Sequence, residues 1–320
     1  MKTRLLLGGL KSLLPVSPSR YTGTGGSSSS RYCYSVWLRH LLLTHGAGLD
    51  TRPRTLVELG PGDSIGVGLA ALLTGTERYL ALDVVQHSND THTVQMLDEL
   101  PALFLRREPV PGPGEFPRTH PLIPAYDFPR HILTDERLAA SLAPERVEAI
   151  RNAALRPGSA GPSRGNEHVR YVCPWYAPDV VADGTADMVL GQGVLQDMDD
   201  RHADDTLTMA FRAMARWLRP GGVMSHQVEL ACPGGDFWNE HWTYPDLAWR
   251  VVRGGRPYYK NRAPMSRYLR LHEAHGFDIR QVIPVKEVSG LRRDRLAERF
   301  RGLSDEDLNT RAVYILAVKR

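Results

Sequence analysis

One stretch constrains the fold more than any other: Thr55-Leu-Val-Glu-Leu-Gly-Pro-Gly-Asp-Ser-Ile-Gly66. A short apolar run closes on an acid, Glu58, and three glycines follow at 60, 62 and 66. The run Val67-Gly-Leu-Ala-Ala-Leu-Leu73 then reads as a helix. Strand, glycine turn and helix in that order let the backbone turn tightly and let a ligand approach it with no Cβ in the way. Asp63 or Ser64 is the expected N-cap. A dinucleotide-binding turn has the same ingredients, with glycines spaced G-x-G-x-x-G. Here the third position of that pattern is Ile65, and Gly66 comes one residue later.

Further along, Tyr79-Leu-Ala-Leu-Asp83 reads as a second strand ending in an acid. Ala186-Asp-Met-Val-Leu-Gly-Gln-Gly-Val-Leu195 reads as a later strand and its turn. Leu218-Arg-Pro-Gly-Gly-Val-Met224 reads as a turn leading into another strand. Together with Glu58-Leu-Gly-Pro-Gly-Asp63, these four elements resemble class I S-adenosylmethionine (SAM)-dependent methyltransferases. The resemblance spans residues 55–230, and the strands expected at the end extend it to 320. It implies an α/β, Rossmann-like sheet of seven strands. The last strand would be antiparallel, and helices would cover both faces. SAM is the implied cofactor. Glu58, Gly60, Pro61, Gly62, Asp63, Asp83 and Val84 are expected to hold it. Asp83 would accept hydrogen bonds from ribose hydroxyls. Cys173, Pro174 and Trp175, just after the third strand, are expected at the adenine edge, and Gln192 beside the pocket.

The elements around this frame divide the chain into an N-terminal helical segment, 1–50, and a catalytic domain, 51–320. Tyr32–Leu43 carries Tyr34, Trp37, Leu38 and Leu41 at helical spacing, as a core face or as a cover for the cofactor. Leu133–Leu155 and Ala203–Leu218 also read as helices. Strands are expected at 168–173, 187–190, 223–230, 277–285 and 312–318. Between 88 and 165 the regular pattern breaks into a proline-rich insertion, Pro109–Pro117 and beyond. It reads either as a cap over the substrate pocket or as a dimerisation arm of a homodimer.

Bulk properties narrow the classes. A 320-residue chain with 42% hydrophobic and 24% charged residues is an ordinary globular protein. Three separated cysteines at 33, 173 and 232 indicate neither a disulfide framework nor zinc. No H-x-x-x-H or D-x-D pair sits on an expected helix or strand, so no metal is expected. The start, Met1-Lys-Thr-Arg-Leu-Leu-Leu7, imitates a secretion signal. However, Lys11 interrupts its apolar core and no A-x-A site follows. A short amphipathic helix lying on the body is expected instead, along with a cytoplasmic location and no membrane span.

The chemistry belongs in the loops after strands four and five. Asp197, His226, Glu229 and His241 are the candidates for a general base acting on an acceptor hydroxyl. The order Phe237 to Trp242, then Tyr258-Tyr-Lys-Asn-Arg262, is similar to methyltransferases of bacterial surface-polysaccharide and sugar pathways. That likeness implies O-methylation of a sugar or glycan hydroxyl, with Trp242, Asn261 and Arg262 at the substrate. Between 250 and 301 there are 14 basic and 5 acidic residues, a charge that suits a phosphate on the acceptor. Three other readings stay open. One is a methyltransferase acting on RNA or a small natural product, although no dedicated RNA-binding module is visible. Another is an NAD-dependent oxidoreductase. The third is a binding protein that has kept the fold without turnover.

Overall fold

A computed structural model describes residues 3–13, 26–155, 168–198, 205–232, 236–256, 258–288 and 290–320. The core is a seven-stranded sheet. In chain order its strands are β1 (Thr55–Leu59), β2 (Arg78–Leu82), β3 (Val169–Val172), β4 (Ala186–Gln192), β5 (Leu218–Glu229), β6 (Phe277–Lys286) and β7 (Thr310–Lys319). They are arranged β3-β2-β1-β4-β5-β7-β6. β7 alone runs antiparallel, between β5 and β6. This is the Rossmann-like methyltransferase sheet expected from the sequence. Strand order reverses between β1 and β4, and in open α/β sheets that reversal leaves a crevice beyond the carboxyl ends of the strands.

Ten helices accompany the sheet among the described residues: α1 (Thr3–Lys11), α2 (Ser30–Gly46), α3 (Gly66–Leu72), α4 (Asp90–Leu105), α5 (Asp135–Ser141), α6 (Pro144–Leu155), α7 (Thr206–Trp217), α8 (Asp246–Arg253), α9 (Met265–Ala274) and α10 (Asp305–Leu308). Alternation along β1 sends Leu56 to one core, with α2, α3 and α4, and Val57 and Leu59 to another, with α7 and α9. Tyr34, Trp37, Leu38 and Leu41 of α2 are fully buried in the first core. The core-face reading of that helix therefore holds.

Two expectations need correction. The helix expected over 133–155 is two helices, because Pro144 cannot continue α5 and opens α6 instead. The stretch after Asp83 is not irregular throughout. Asn89 caps α4, whose Met96, Leu97, Leu100, Leu103 and Phe104 are buried. Between α4 and α5 the proline-rich backbone has carbonyls but few ladder partners; the buried guanidinium of Arg39 supplies three of them, and that of Arg137 ties the end of the stretch to the segments before β1 and after α3. Arg39 of α2 donates to the carbonyls of Pro111, Thr119 and Pro121. Arg137 donates to those of Thr51, Thr74 and Ile132. The beginning of the helix expected at 203 and the end of the loop expected at 192–200 lie outside the described residues. α1 lies on α8, as expected of a helix resting on the body.

Candidate active site

The ends of β1, β2, β4 and β5 meet at the strand-order reversal. The Gly60 N–H donates to the Leu82 carbonyl at 2.8 Å, and the Gly193 N–H donates to the Gln227 carbonyl at 2.8 Å. Gly60 and Gly62 hold φ of +59° and +76°, a conformation side-chain-bearing residues avoid. A Cβ on Gly60 would also come within 2.6 Å of Val194. The turn is stitched to the chain N-terminal to α2. Ser27 donates through its hydroxyl to the Pro61 carbonyl at 2.8 Å and accepts from the Ser64 N–H at 3.1 Å. The cap position of α3 is Ile65, without a side-chain cap, rather than the expected Asp63 or Ser64; the Ser64 hydroxyl, one residue earlier, accepts from the Gly66 N–H at 3.1 Å. Asp63 instead accepts from the Gly26 N–H at 3.2 Å.

The two strand-end acids behave differently. Glu58 is turned inward and accepts from the Tyr79 hydroxyl at 2.5 Å; burial pushes its carboxyl up to about 7. Asp83 uses Oδ1 to accept from the N–H groups of Val84 and Val85 at 2.8 and 3.4 Å. Its Oδ2 is buried with no partner, and burial raises its pKa. Cys173 lies near Asp83, and burial raises its thiol as well. The Trp175 N–H donates to the Asp83 carbonyl at 3.0 Å, which draws the 173–175 turn onto the end of β2. Val84 packs against the second core.

Gln192, at the end of β4, ties three elements together. Its Nε2 donates to the His120 carbonyl at 2.9 Å, so its Oε1 faces Nε2 of His40 at 3.0 Å. Nδ1 of His40 is 2.6 Å from the Ser225 hydroxyl, which is 2.8 Å from the Tyr314 hydroxyl. Burial pushes His40 down to about 4, so the ring is neutral. The directions follow: Tyr314 donates to Ser225, Ser225 to His40 and His40 to Gln192. Tyr32, from the start of α2, also reaches the Gln192 amide. His40, Ser225, Tyr314 and Tyr32 were not singled out in the sequence. The one available signal was that His40 follows Trp37 on the buried face of α2.

The four base candidates separate. Asp197 and Glu229 meet at the mouth around Lys260. Its Nζ donates to the Glu229 carbonyl at 2.7 Å and lies 4.0 Å from the Asp197 carboxylate. Glu229 also lies 3.6 Å from Arg311. Burial raises the pKa of Asp197, and Lys260 opposes that rise. His226 points instead into the second core, fully buried, with neither ring nitrogen partnered, and burial holds it neutral. His241 is packed against Trp242 and Trp249 and is likewise neutral. His226 sits among the apolar side chains of the second core, and His241 is buried in the turn after β5 between Trp242 and Trp249, with Lys260 and Arg262 nearby.

The three residues expected at the substrate serve the scaffold instead. Trp242 is fully buried and its indole N–H donates to the Arg262 carbonyl at 2.9 Å. Arg262, buried and at φ +61°, donates to the Tyr244 carbonyl and pairs with Asp246. Asn261 donates to the carbonyls of Leu195 and Met198 and accepts from the Ala263 N–H and the Tyr268 hydroxyl. With its amide engaged at both ends, Asn261 pins the loop after β4. No group of His, Cys, Asp or Glu side chains suited to a metal occurs among the described residues.

A nucleoside-bearing cofactor fits these residues. Asp83 offers a buried carboxylate oxygen, Oδ2, with no hydrogen-bond partner, and the turn at 60–62 holds positive φ at both glycines, with the Val194 side chain packed on Gly60. No family model and no curated protein matches the chain. Among solved structures it is similar to an S-adenosylmethionine-dependent methyltransferase from Mesorhizobium loti. The identity is 14%, over 83% of this chain and 90% of that one, with a TM-score of 0.38. It is also similar to Burkholderia thailandensis 1,6-didemethyltoxoflavin-N1-methyltransferase, at 15% identity over 91% and 79% with a TM-score of 0.40. The cyclase SpnF is a further likeness, at 14% identity over 88% and 80% with a TM-score of 0.42. At such identities and TM-scores these likenesses carry no weight on the reaction.

Proposed function

We propose that the chain is a SAM-dependent methyltransferase acting on a small-molecule hydroxyl. The observation that carries this reading is the buried, unpartnered Oδ2 of Asp83 beside the positive-φ glycine turn. When bound, SAM supplies an electrophilic methyl group on a sulfonium, so the protein's task is to aim an acceptor and handle one proton. Asp83 would accept from the ribose hydroxyls. The backbone of 60–64 would lie along the cofactor, Cys173 and Pro174 would edge the base, and Gln192 would wall the far side. Asp197 or Glu229 would receive the acceptor's proton at a carboxylate oxygen, with Lys260 steadying the charge on Asp197 and Arg311 that on Glu229. The stretch 106–134 would close one side of the pocket through the His120 carbonyl held by Gln192.

For the acceptor we propose a sugar or glycan hydroxyl, by the sequence resemblance. Trp242, Asn261 and Arg262 lend it no support, since each is satisfied within the protein. Calorimetry with SAM, and separately with NAD, tests the cofactor. Saturable heat with SAM alone is expected, and binding of NAD in its place would overturn the reading. Mass spectrometry of sugar-nucleotide and glycan extracts incubated with labelled SAM then identifies the methylated acceptor.

A further inference from the structure

Two buried polar atoms near the mouth of the site have nothing to bond to: Nδ1 of His120 and Oε1 of Gln227. Gln227 is only 3% exposed, and its amide nitrogen makes one long contact, 3.4 Å to the Val228 carbonyl. A buried acceptor left without a donor costs free energy that a ligand can return. The sheet brings the two atoms to one place. Gln227 is the register partner of Gln192 on β4 and of Tyr314 on β7, so the three share a face of the sheet. Ser225, two residues before Gln227, meets His40 of α2 on that face, and Glu229 lies two residues beyond it. Ser225, Gln227 and Glu229 thus form a row that rises to the strand ends. The stretch between α4 and α5 sets His120 over the top of this row. Arg39 holds the carbonyls of Thr119 and Pro121 on either side, and Gln192 holds that of His120 itself. The charges of Glu229 and Arg311 both act on the His120 ring.

The chemistry of the two atoms selects the ligand. The Gln227 oxygen can only accept, whereas an imidazole nitrogen donates or accepts according to its tautomer. A hydroxyl group does both and satisfies either atom. An anion cannot donate to Gln227 and would be repelled by Glu229. The cations nearby are already engaged: Arg39 donates to Ser35 and to three backbone carbonyls, and Arg311 pairs with Glu287 and Glu229. Resting on the methyltransferase reading above, we propose that His120 and Gln227 bind the acceptor through a neutral hydroxyl-bearing portion, such as a sugar ring. Of the two carboxylates proposed for the acceptor's proton, the row places Glu229 beside that portion. Asp197 stands off it, on the turn after β4 with Lys260. The stretch between α4 and α5 is then part of the acceptor site through a side chain as well as through a carbonyl.

Carbon NMR of the histidine rings of the full chain tests this, with the His120 signal assigned by its loss in His120→Phe. The probes are glycerol and methyl glucoside, with inorganic phosphate as the anion. The two hydroxyl probes are expected to move the His120 signal saturably, and phosphate to leave it in place. Gln227→Met keeps the length of the side chain and removes the amide. It should weaken binding of the hydroxyl probes roughly tenfold, with a melting temperature unchanged or raised. No shift with either hydroxyl probe, equal affinity in Gln227→Met, or a saturable shift with phosphate alone would overturn the proposal. So would failure of Gln227→Met to fold, since an amide with no structural task can be replaced. The titration needs no cofactor, so a failure of the methyltransferase reading shows separately, as absence of SAM binding in calorimetry.

Discussion

Nε2 of His40 and Oε1 of Gln192 lie 3.0 Å apart, and that contact fixes which way a four-residue chain of hydrogen bonds points. The His120 carbonyl can only accept, so the amide nitrogen of Gln192 must face it and the amide oxygen must face His40. A neutral His40 then carries its proton on Nε2 and accepts from Ser225 on Nδ1. Through this chain β7, β5, α2 and β4 together hold the stretch around 120 at the mouth of the site.

Gln192→Leu keeps the volume and removes both partners. It leaves a buried imidazole donor and the His120 carbonyl unsatisfied, at a cost of about 1–3 kcal/mol. Urea unfolding should show that loss. Hydrogen exchange should quicken at residues 118–121 while the strand amides stay protected. An unchanged exchange pattern would mean that the amide does not hold this stretch.

Asp83 separates binding from folding. Its Oδ2 has no hydrogen-bond partner. Although the N–H groups of Val84, Val85 and Gly62 and the His87 ring favour the charge, burial outweighs them and raises the pKa, a cost that a hydroxyl-bearing ligand would reduce. Asp83→Asn should leave stability equal or higher. It should weaken SAM binding at least tenfold, or about 1.4 kcal/mol, because an amide facing ribose hydroxyls mixes donor with acceptor. Asp83→Ala should abolish the calorimetric signal. If Asp83→Asn unfolded the chain and spared binding, Asp83 would be structural.

Gly68 was not part of the turn motif, yet its replacement should be costly. A Cβ there would lie 2.1 Å from the ring of Tyr79, which is buried and held to Glu58. Overpacking of this kind costs about 1–3 kcal/mol or more. Gly46→Ala, at a position with nothing within 4 Å, is the control and should be neutral. Equal melting temperatures for the two variants would show that the ring can move aside.

What the sequence made legible follows from what local pattern can encode. The turn at 60–66 is written in glycines because a positive φ demands them, and the strand-end acid at 83 sits a fixed distance along the next strand. The scaffold role of Trp242, Asn261 and Arg262 was not legible. A polar side chain that meets a ligand and one that meets a distant carbonyl are the same letters. Asn261 finds its partners at 195 and 198, which only the fold brings near. α4 was hidden for a different reason. Pro101 lies inside it, and dense prolines follow, so its apolar spacing was read as part of an irregular insertion.

Stability should fall on mild acidification, and the buried histidines set the window. Burial pushes His40 and His272 down to about 4 and holds His226 and His241 well below the ordinary imidazole value. In the unfolded chain each titrates near 6.5. As pH falls below about 6.5 the unfolded state takes up protons that the folded state refuses, so stability present at pH 7 is lost towards pH 4. Glu58 works in the opposite direction. Burial raises it to about 7, so its contribution is full below the unfolded value and is lost as pH rises towards 7. With His120 lowered by burial as well, five imidazoles outweigh one carboxyl. Each proton taken up on unfolding is worth about 1.4 kcal/mol per pH unit, and the raised acids Asp83 and Asp197 reduce the slope. Urea midpoints across this range measure it, and stability that stays level or rises on acidification would refute it. His226→Leu sharpens the test. Neither ring nitrogen has a partner, so leucine should cost little at neutral pH and should flatten the slope by one proton. A slope unchanged in that variant would place the uptake on the other rings.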